Sequence, residues 1–316
     1  MRRLDSAVLD RQRRANRVVS VAVVAGIVAW AGLVGWLVLG PDGVVISVLA
    51  GAALLMFQPV RSATLIRAMF GAVPLPPSEA PGLYGILRAL ADRAELEGVP
   101  PVLFIPRPEI VALSTGWGAD ATVAVSDGLL RRLPPRELAA VLAHEVAHLR
   151  AGDLKILRLA DAAGRLTRFL ALAGMFVVLF SLPAAAMAGM NLALWPVLLL
   201  VAAPVASDLL TLKLSRTREF DADAGAAALT GDPRGLMMAL ERIDRLQTGG
   251  WERLTRMPEW RWLRWIRTHP TTGERLARLA ELEPEPEPRW IPLPEILLPP
   301  GWRLRAAPRL WWPRRM

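Results

Sequence analysis

The 316-residue sequence contains no cysteine. This absence excludes a disulfide framework and any metal site built from thiolates, which leaves histidine and carboxylate side chains as the available ligands. Histidine is also scarce, since the whole chain has three. Two of them, His144 and His148, lie four positions apart, and the third is His269. Any metal site in this chain is therefore expected to draw on these few positions.

Charge is missing from three long stretches, residues 18–39, 44–60 and 169–207, and 53% of the chain is hydrophobic. About 20 apolar residues in a helix cross the roughly 30 Å hydrocarbon core of a bilayer. The first stretch is too long for the core of a signal peptide, and a second follows at once after a predicted turn at Pro41-Asp42-Gly43. We therefore predict that residues 18–60 form a retained transmembrane hairpin.

The third charge-free stretch is too long for one span, because a single straight helix of that length would be about twice as long as the bilayer core is thick. Proline, glycine and asparagine interrupt its middle. We predict two more spans, residues 169–187 and 192–212, which gives four transmembrane helices in total. Asp208, near the end of the last span, is either a functional acid or, as we favour, a carboxylate at the interface near Lys213.

The net charge of +9 comes mainly from arginines that cluster beside the apolar runs. This placement favours a lipid bilayer over nucleic acid as the partner of the basic segments. Six arginines precede the first span, whereas the two short connections between spans carry no lysine or arginine. By the positive-inside rule we expect a multi-pass protein of the inner membrane, with both termini and the His144 segment on the cytoplasmic side.

The strongest motif is His144-Glu145-Val146-Ala147-His148, which has the pattern H-E-x-x-H. On a helix, residues four apart lie on one face, so the two imidazoles can hold one metal ion between them. Glu145 can then reach a water molecule on that ion and take its proton. This arrangement predicts a zinc peptidase with one Zn²⁺ per chain, with Glu145 as the general base.

A zinc peptidase needs a third protein ligand, and an acidic segment after the last span supplies candidates. Glu219 is the strong candidate, and Asp223 lies four residues later on the same helical face, where it can accept a hydrogen bond from a zinc-bound histidine. The plain alternative is a solvated acidic face beside Arg216 and Arg218. Because H-E-x-x-H supplies only two ligands, we favour the hypothesis that Glu219 is the third.

Three short runs before the motif have the character of β-strands, residues 102–105, 110–114 and 121–126. They form either an ordinary core hairpin or the edge of a peptidase sheet, onto which an extended substrate adds as a further strand. The residues alone leave these two interpretations open.

Taken in order, the apolar hairpins, the H-E-x-x-H motif, Glu219-Phe220-Asp221-Ala222-Asp223 and Thr268-His269-Pro270 with Arg275 resemble the HtpX-type membrane zinc peptidases, bacterial relatives of the CAAX prenyl proteases. The resemblance runs from about residue 18 to residue 282. It implies a mainly α membrane protein with four transmembrane helices and a cytoplasmic zincin-like α+β peptidase domain that carries a small sheet. The implied divisions are 1–17, 18–60, 61–168, 169–212, 213–282 and 283–316.

The same resemblance implies that His144, His148 and Glu219 bind zinc, that Glu145 is the base and that Asp223 supports a ligand. It also implies that His269 stabilises the oxyanion, although a place just before the helix that begins with the Thr271 and Glu274 capping box explains His269 equally well. The implied activity is endoproteolysis of cytoplasmic segments in misfolded or unassembled membrane proteins. A CAAX-type prenyl-peptide protease and a non-catalytic membrane scaffold are the alternatives.

Two departures from the resembled family stand out. Such relatives often carry Asn-Ala-Phe in the strand before the motif, where this chain has Val111-Ala112-Leu113. The tail after residue 282 alternates glutamate with proline and then mixes tryptophan with arginine, as expected of an extended segment. The region from Trp251 to Trp265 is the better candidate for lying on an anionic membrane surface.

Overall fold

The computed structural model describes residues 4–56, 62–116, 118–188, 194–251 and 270–283. His269, most of the region from Trp251 to Trp265, and the tail lie outside these residues. The helices and strands of the described part are, in chain order, α1 (Ser6–Leu39), α2 (Pro41–Met56), α3 (Ser62–Phe70), β1 (Val73–Leu75), α4 (Pro81–Arg93), β2 (Val102–Ile105), β3 (Ala112–Thr115), β4 (Thr122–Ser126), α5 (Asp127–Arg132), α6 (Pro135–Ala151), α7 (Asp153–Met187), α8 (Leu194–Thr230), α9 (Pro233–Trp251) and α10 (Thr272–Ala280).

Three helices of the described chain, α1, α7 and α8, are long and apolar enough to cross a bilayer. Large apolar side chains are exposed along them, such as Phe180 at 77% and Leu198 at 67%, as expected of surfaces that face lipid. These helices correspond to three of the four predicted spans and are candidates to cross the bilayer. The fourth, α2, has 16 residues, which is about 24 Å of helix and shorter than the bilayer core, so the count of four stays a prediction.

The first hairpin turns one residue earlier than the sequence suggested. Gly40 takes the left-handed conformation with φ of 70°, and Pro41 already begins α2. The predicted turn at Pro41-Asp42-Gly43 is therefore wrong, because proline suits the first helical position, where its missing N–H is not needed. Gly35 and Gly43 let the two helices touch, since a Cβ atom on Gly35 would lie 2.6 Å from the carbonyl oxygen of Gly43.

The second pair of membrane helices extends well beyond its charge-free parts. α7 begins at Asp153 and α8 ends at Thr230, so both helices continue past the predicted spans 169–187 and 192–212 without a break. These extensions pack against α6 and α9. Asp208 pairs with Arg168 at 2.7 Å across the two helices, so this carboxylate near the end of the predicted span has a partner on α7.

The small sheet precedes α6 and has the strand order β1-β2-β4-β3. β2 and β4 are parallel, whereas the β1–β2 and β3–β4 pairs are antiparallel. The strand predicted at residues 102–105 is confirmed, and the two predicted at 110–114 and 121–126 are found with small shifts as β3 and β4. Within the described residues β3 is an outer strand, and it contacts α6.

The main core surrounds α6 and gathers residues from α4, the sheet, α8, α9 and α10. The N-terminal end of α1 also belongs to it, because Leu9 is buried there. Gln12 donates to the backbone oxygen of Arg278, and Asn16 bonds to Asp221 at 2.8 Å. The segment of α1 that carries Arg11, Arg13, Arg14 and Arg17 therefore joins the apolar part of that helix to the core.

Candidate metal centre

The two histidines of the motif project from α6, whose ends are well defined. Proline occupies the first turn of this helix, and Gly152 ends it in the left-handed conformation. Because His144 and His148 are one helical turn apart, their side chains meet, and their Nε2 atoms lie 3.1 Å apart. Both Nε2 atoms therefore point at one small volume, as two ligands of a single metal ion would.

Glu219 reaches the same volume from α8. One of its carboxylate oxygens lies 3.5 Å from Nε2 of His144, and the other lies 3.8 Å from Nε2 of His148. Ligand atoms of His144, His148 and Glu219 all fall within 4.8 Å of one another. Two imidazole nitrogens and one carboxylate oxygen form a donor set that suits a divalent transition metal with one position left open.

The far nitrogens of both imidazoles are held by carboxylates. Nδ1 of His144 lies 3.0 Å from Asp223, and Nδ1 of His148 lies 2.7 Å from Asp153. In the neutral ring, a proton on Nδ1 would satisfy each carboxylate and leave the Nε2 lone pair for a metal ion. Both histidines are therefore oriented as metal ligands would be, with Nδ1 toward a carboxylate and Nε2 toward the shared volume.

Each of these carboxylates is in turn held by a buried arginine. Arg275 donates to both oxygens of Asp223, at 2.8 and 2.6 Å, and also approaches Glu219 at 3.7 Å. Arg218 donates to Asp153 at 2.5 Å and to Asp221 at 2.8 Å. Burial raises the pKa of Asp223, but the hydrogen bonds and the charge of Arg275 outweigh burial and lower that pKa below its ordinary value.

The electrostatic environment favours a positive charge at this centre. Burial lowers the pKa of His144, but hydrogen bonds to Asp223 and Glu219 outweigh it and raise the pKa to about 9. Burial lowers the pKa of Arg275 as well, yet the charges of Asp223, Glu219 and Glu145 raise it above its ordinary value. Since a histidine ligand must be neutral, metal binding at neutral pH would displace a proton from His144.

Glu145 and the three candidate ligands line a cavity of about 470 Å³. Residues 110–116, in and beside β3, form one wall, so the outer strand runs directly alongside the donor set. Another wall is apolar and is made by Leu129, Val141, Leu236, Leu240 and Ile243. The cavity can accept an extended chain with an apolar side chain next to the metal-binding residues.

The structure brings together five of the six residues singled out from the sequence, namely His144, Glu145, His148, Glu219 and Asp223. The sixth, His269, lies outside the described residues, although the capping box predicted after it at Thr271 and Glu274 is confirmed.

Sequence analysis missed two residues of this centre and left a third without a role. Asp153 counted only as one of the charged residues that flank the motif and was given no role in the metal site, although its position directly after Gly152, which ends α6, was a usable signal. Arg218 was treated only as part of a solvated face, and it is in fact buried. Arg275 was named only among the residues that carry the family resemblance, with no role assigned. In the structure it donates hydrogen bonds to Asp223.

We predict that Asp153→Asn weakens metal binding by roughly 10–100-fold, as losses of this kind of supporting carboxylate do. The amide cannot match a carboxylate as acceptor for Nδ1–H of His148, and it leaves Arg218 with Asp221 as its remaining charge partner. Competition with a chromophoric chelator measures the affinity. Asp161→Asn is the matched control, because Asp161 lies on the same helix in an exposed pair with Arg165. Equal affinities for the two variants would contradict the prediction.

The chain is similar in sequence to known peptidases. Residues 77–283 match the model of Peptidase family M48. The chain is 32% identical over 287 residues to a protein named Protease HtpX homolog from Methylibium petroleiphilum, a match that covers 85% of this chain and 99% of the relative. It is 36% identical over 213 residues to the Protease HtpX homolog of Nostoc punctiforme, covering 67% and 73% of the two chains.

Among solved structures, the crystal structure of S. mikatae Ste24p is similar, with a TM-score of 0.47 and 19% identity over 85% of this chain and 66% of that chain. The M48 match covers well over half of the sequence, and M48 peptidases are metal-dependent proteases. Together, the M48 match and the long apolar helices identify a multi-pass membrane metalloprotease that acts on peptide substrates. The chain belongs to peptidase family M48.

Proposed function

We propose that this protein is a zinc endopeptidase of the gluzincin type, in which His144, His148 and Glu219 bind one Zn²⁺. The convergence of their donor atoms within 4.8 Å supports this assignment. Zinc suits the set because it accepts nitrogen and oxygen ligands, takes four-coordinate geometry and keeps an open position in catalytic sites. Asp223 and Asp153 orient the two histidines toward it.

The chemistry assigned to the chain's own residues is acid–base catalysis. A bound zinc ion polarises the scissile carbonyl and makes water acidic near neutral pH. Glu145 takes the proton of the attacking water on its carboxylate and then delivers it to the departing amine. We further propose that His269 donates a hydrogen bond to the oxygen of the carbonyl under attack.

Substrate binding is assigned to the outer strand of the sheet. We propose that an extended peptide pairs with β3 through main-chain hydrogen bonds, which places its scissile bond over Glu145. The apolar wall of the cavity would receive one hydrophobic side chain of the peptide. Val111-Ala112-Leu113 offers no side-chain amide for this purpose, so recognition would depend on the backbone.

We propose that the substrates are cytoplasmic segments of misfolded or unassembled membrane proteins. Two features support this role. The relatives carry the name Protease HtpX homolog, and the helices that cross the bilayer, α7 and α8, also carry Asp153 and Glu219 of the metal centre. A substrate anchored in the same membrane would therefore present its emerging segment close to the cavity.

The orientation proposed here puts the metal centre on the cytoplasmic face of the inner membrane. Reporter fusions after Gly71 and after Met316 should both report the cytoplasm, whereas an insertion at Gly189 should report the opposite side. The basis is the concentration of arginine before the apolar part of α1 and after the apolar part of α8. An opposite-side signal from the Gly71 fusion would contradict this orientation.

We predict that Glu145→Gln keeps its zinc and lowers peptide hydrolysis by at least 10²-fold, because an amide cannot take the proton of water. Digestion of unfolded casein by the purified chain provides the assay. Glu241→Gln, an exposed change on α9, is the control and should leave turnover unchanged. Near-normal turnover by the Glu145 variant would refute the mechanism. A wild-type chain that binds zinc but cuts only prenylated peptides would support the CAAX-type alternative.

The third zinc ligand is tested by two further variants. Glu219→Ala should lose both zinc and activity, because it removes a direct ligand. His269→Ala should keep zinc and lose turnover if His269 binds the oxyanion. Metal content of the purified variants, measured by mass spectrometry, distinguishes the two roles. A zinc-loaded Glu219 variant together with a zinc-free His269 variant would reverse the assignment.

A further inference from the structure

A second cavity of about 470 Å³ lies against a different part of α6 and shares no lining residue with the cavity at the metal centre, although Arg218, which holds Asp153, lines it. Helices α1, α6, α7 and α8 enclose it. Ala147 lines this cavity, whereas the neighbouring His148 lines the other one. Its polar lining consists of Arg13, Arg17, Ser20, Arg150, Arg218 and Asp221.

The lining of this cavity is strongly basic, with four arginines and a single carboxylate. That carboxylate, Asp221, is already engaged by Arg218 and by Asn16, each at 2.8 Å. Among the residues that the structure describes, the side chains of Arg17 and Arg150 form no ion pair and no hydrogen bond, and both residues are exposed. The uncompensated positive charge indicates an anionic ligand.

Ser20 provides an independent indication of a ligand. It lines the cavity, it is 95% buried at a relative exposure of 5%, and its hydroxyl has no hydrogen-bond partner in the described structure. A buried hydroxyl without a partner is unfavourable by about 1–3 kcal/mol and is rare in native proteins. A ligand with acceptor oxygens between the arginines would satisfy it.

The position of the cavity along the membrane helices indicates which kind of anion it binds. Arg17 is the last charged residue before the apolar part of α1, and the next residues on that helix, Val18 and Val21, are 68% and 64% exposed. Val21 and Ile156 add an apolar side to the cavity. The arginines therefore lie at the level of lipid headgroups, with the apolar side continuing toward the acyl chains.

We propose that this cavity binds the phosphate group of an anionic phospholipid from the surrounding bilayer. Arg17 and Arg150 bind the phosphate oxygens, and the hydroxyl of Ser20 donates to the same group. The acyl chains follow Val21 and Ile156. Basic pockets between membrane helices on the cytoplasmic side are the usual environment for such headgroups. This site is separate from the metal centre and does not depend on the function proposed for it.

The test uses the full chain purified in a nonionic detergent and titrated with short-chain phosphatidylglycerol, with binding followed by native mass spectrometry. Arg17→Gln with Arg150→Gln should weaken binding by roughly 30-fold, at about fivefold for each arginine lost near the headgroup. Arg11→Gln with Arg14→Gln is the matched control, because it removes equal charge from exposed positions of α1 outside the cavity. Arg218 is left unchanged because it holds Asp153.

Retention of phosphatidylglycerol by the control, but not by the Arg17 and Arg150 variant, is the expected result. Equal loss in both double variants would show general surface attraction and overturn the proposal. Equal competition by inorganic phosphate would assign the cavity to free phosphate, and equal binding of phosphatidylcholine would remove the requirement for a net anion. If the double variant does not fold, each single substitution should weaken binding by about fivefold, and unchanged affinity in both would contradict the proposal.

Discussion

The hydrogen bonds between carboxylates and the two histidines of α6 are the interaction on which the rest of the structure depends. Asp223 holds His144 and Asp153 holds His148, so both Nε2 atoms face the volume that Glu219 also reaches. These carboxylates come from α8 and from the start of α7, and their arginine partners add a contact from α10. One network of charges therefore connects the motif helix to both membrane helices and to the last described helix.

The membrane helices position residues of the metal centre and also anchor the protein in the bilayer. Because α7 and α8 continue without a break from their apolar parts to the core, packing inside the bilayer determines where Asp153, Glu219 and Asp223 lie. The approach of α8 to α6 is close, since a Cβ atom on Gly225 would lie 2.7 Å from Cβ of Ala147. Only glycine allows this spacing, which keeps Glu219 within reach of the histidines.

Much of this arrangement could be predicted where the signal is local. The spacing of His144 and His148 places both on one helix face, charge-free runs predict spans, and Gly152 predicts a helix end. Contacts between residues that are far apart in the chain leave weaker signals in the sequence. The pair between Asp208 and Arg168 joins two helices across 40 positions of sequence, and no local pattern indicated it. Asp153 looked like an ordinary charged residue, because its role depends on a turn that points it back at His148.

The sequence by itself determined the kinds of ligand available, the helix that presents two of them, and the apolar segments that need a bilayer. It did so because helical periodicity and the cost of burying charge act over short stretches of chain. Only the tertiary structure decided which carboxylates meet which imidazoles, and that α1 encloses a basic cavity with α6, α7 and α8. Those contacts follow from how long helices pack, and helix packing depends on side chains that are far apart in the chain.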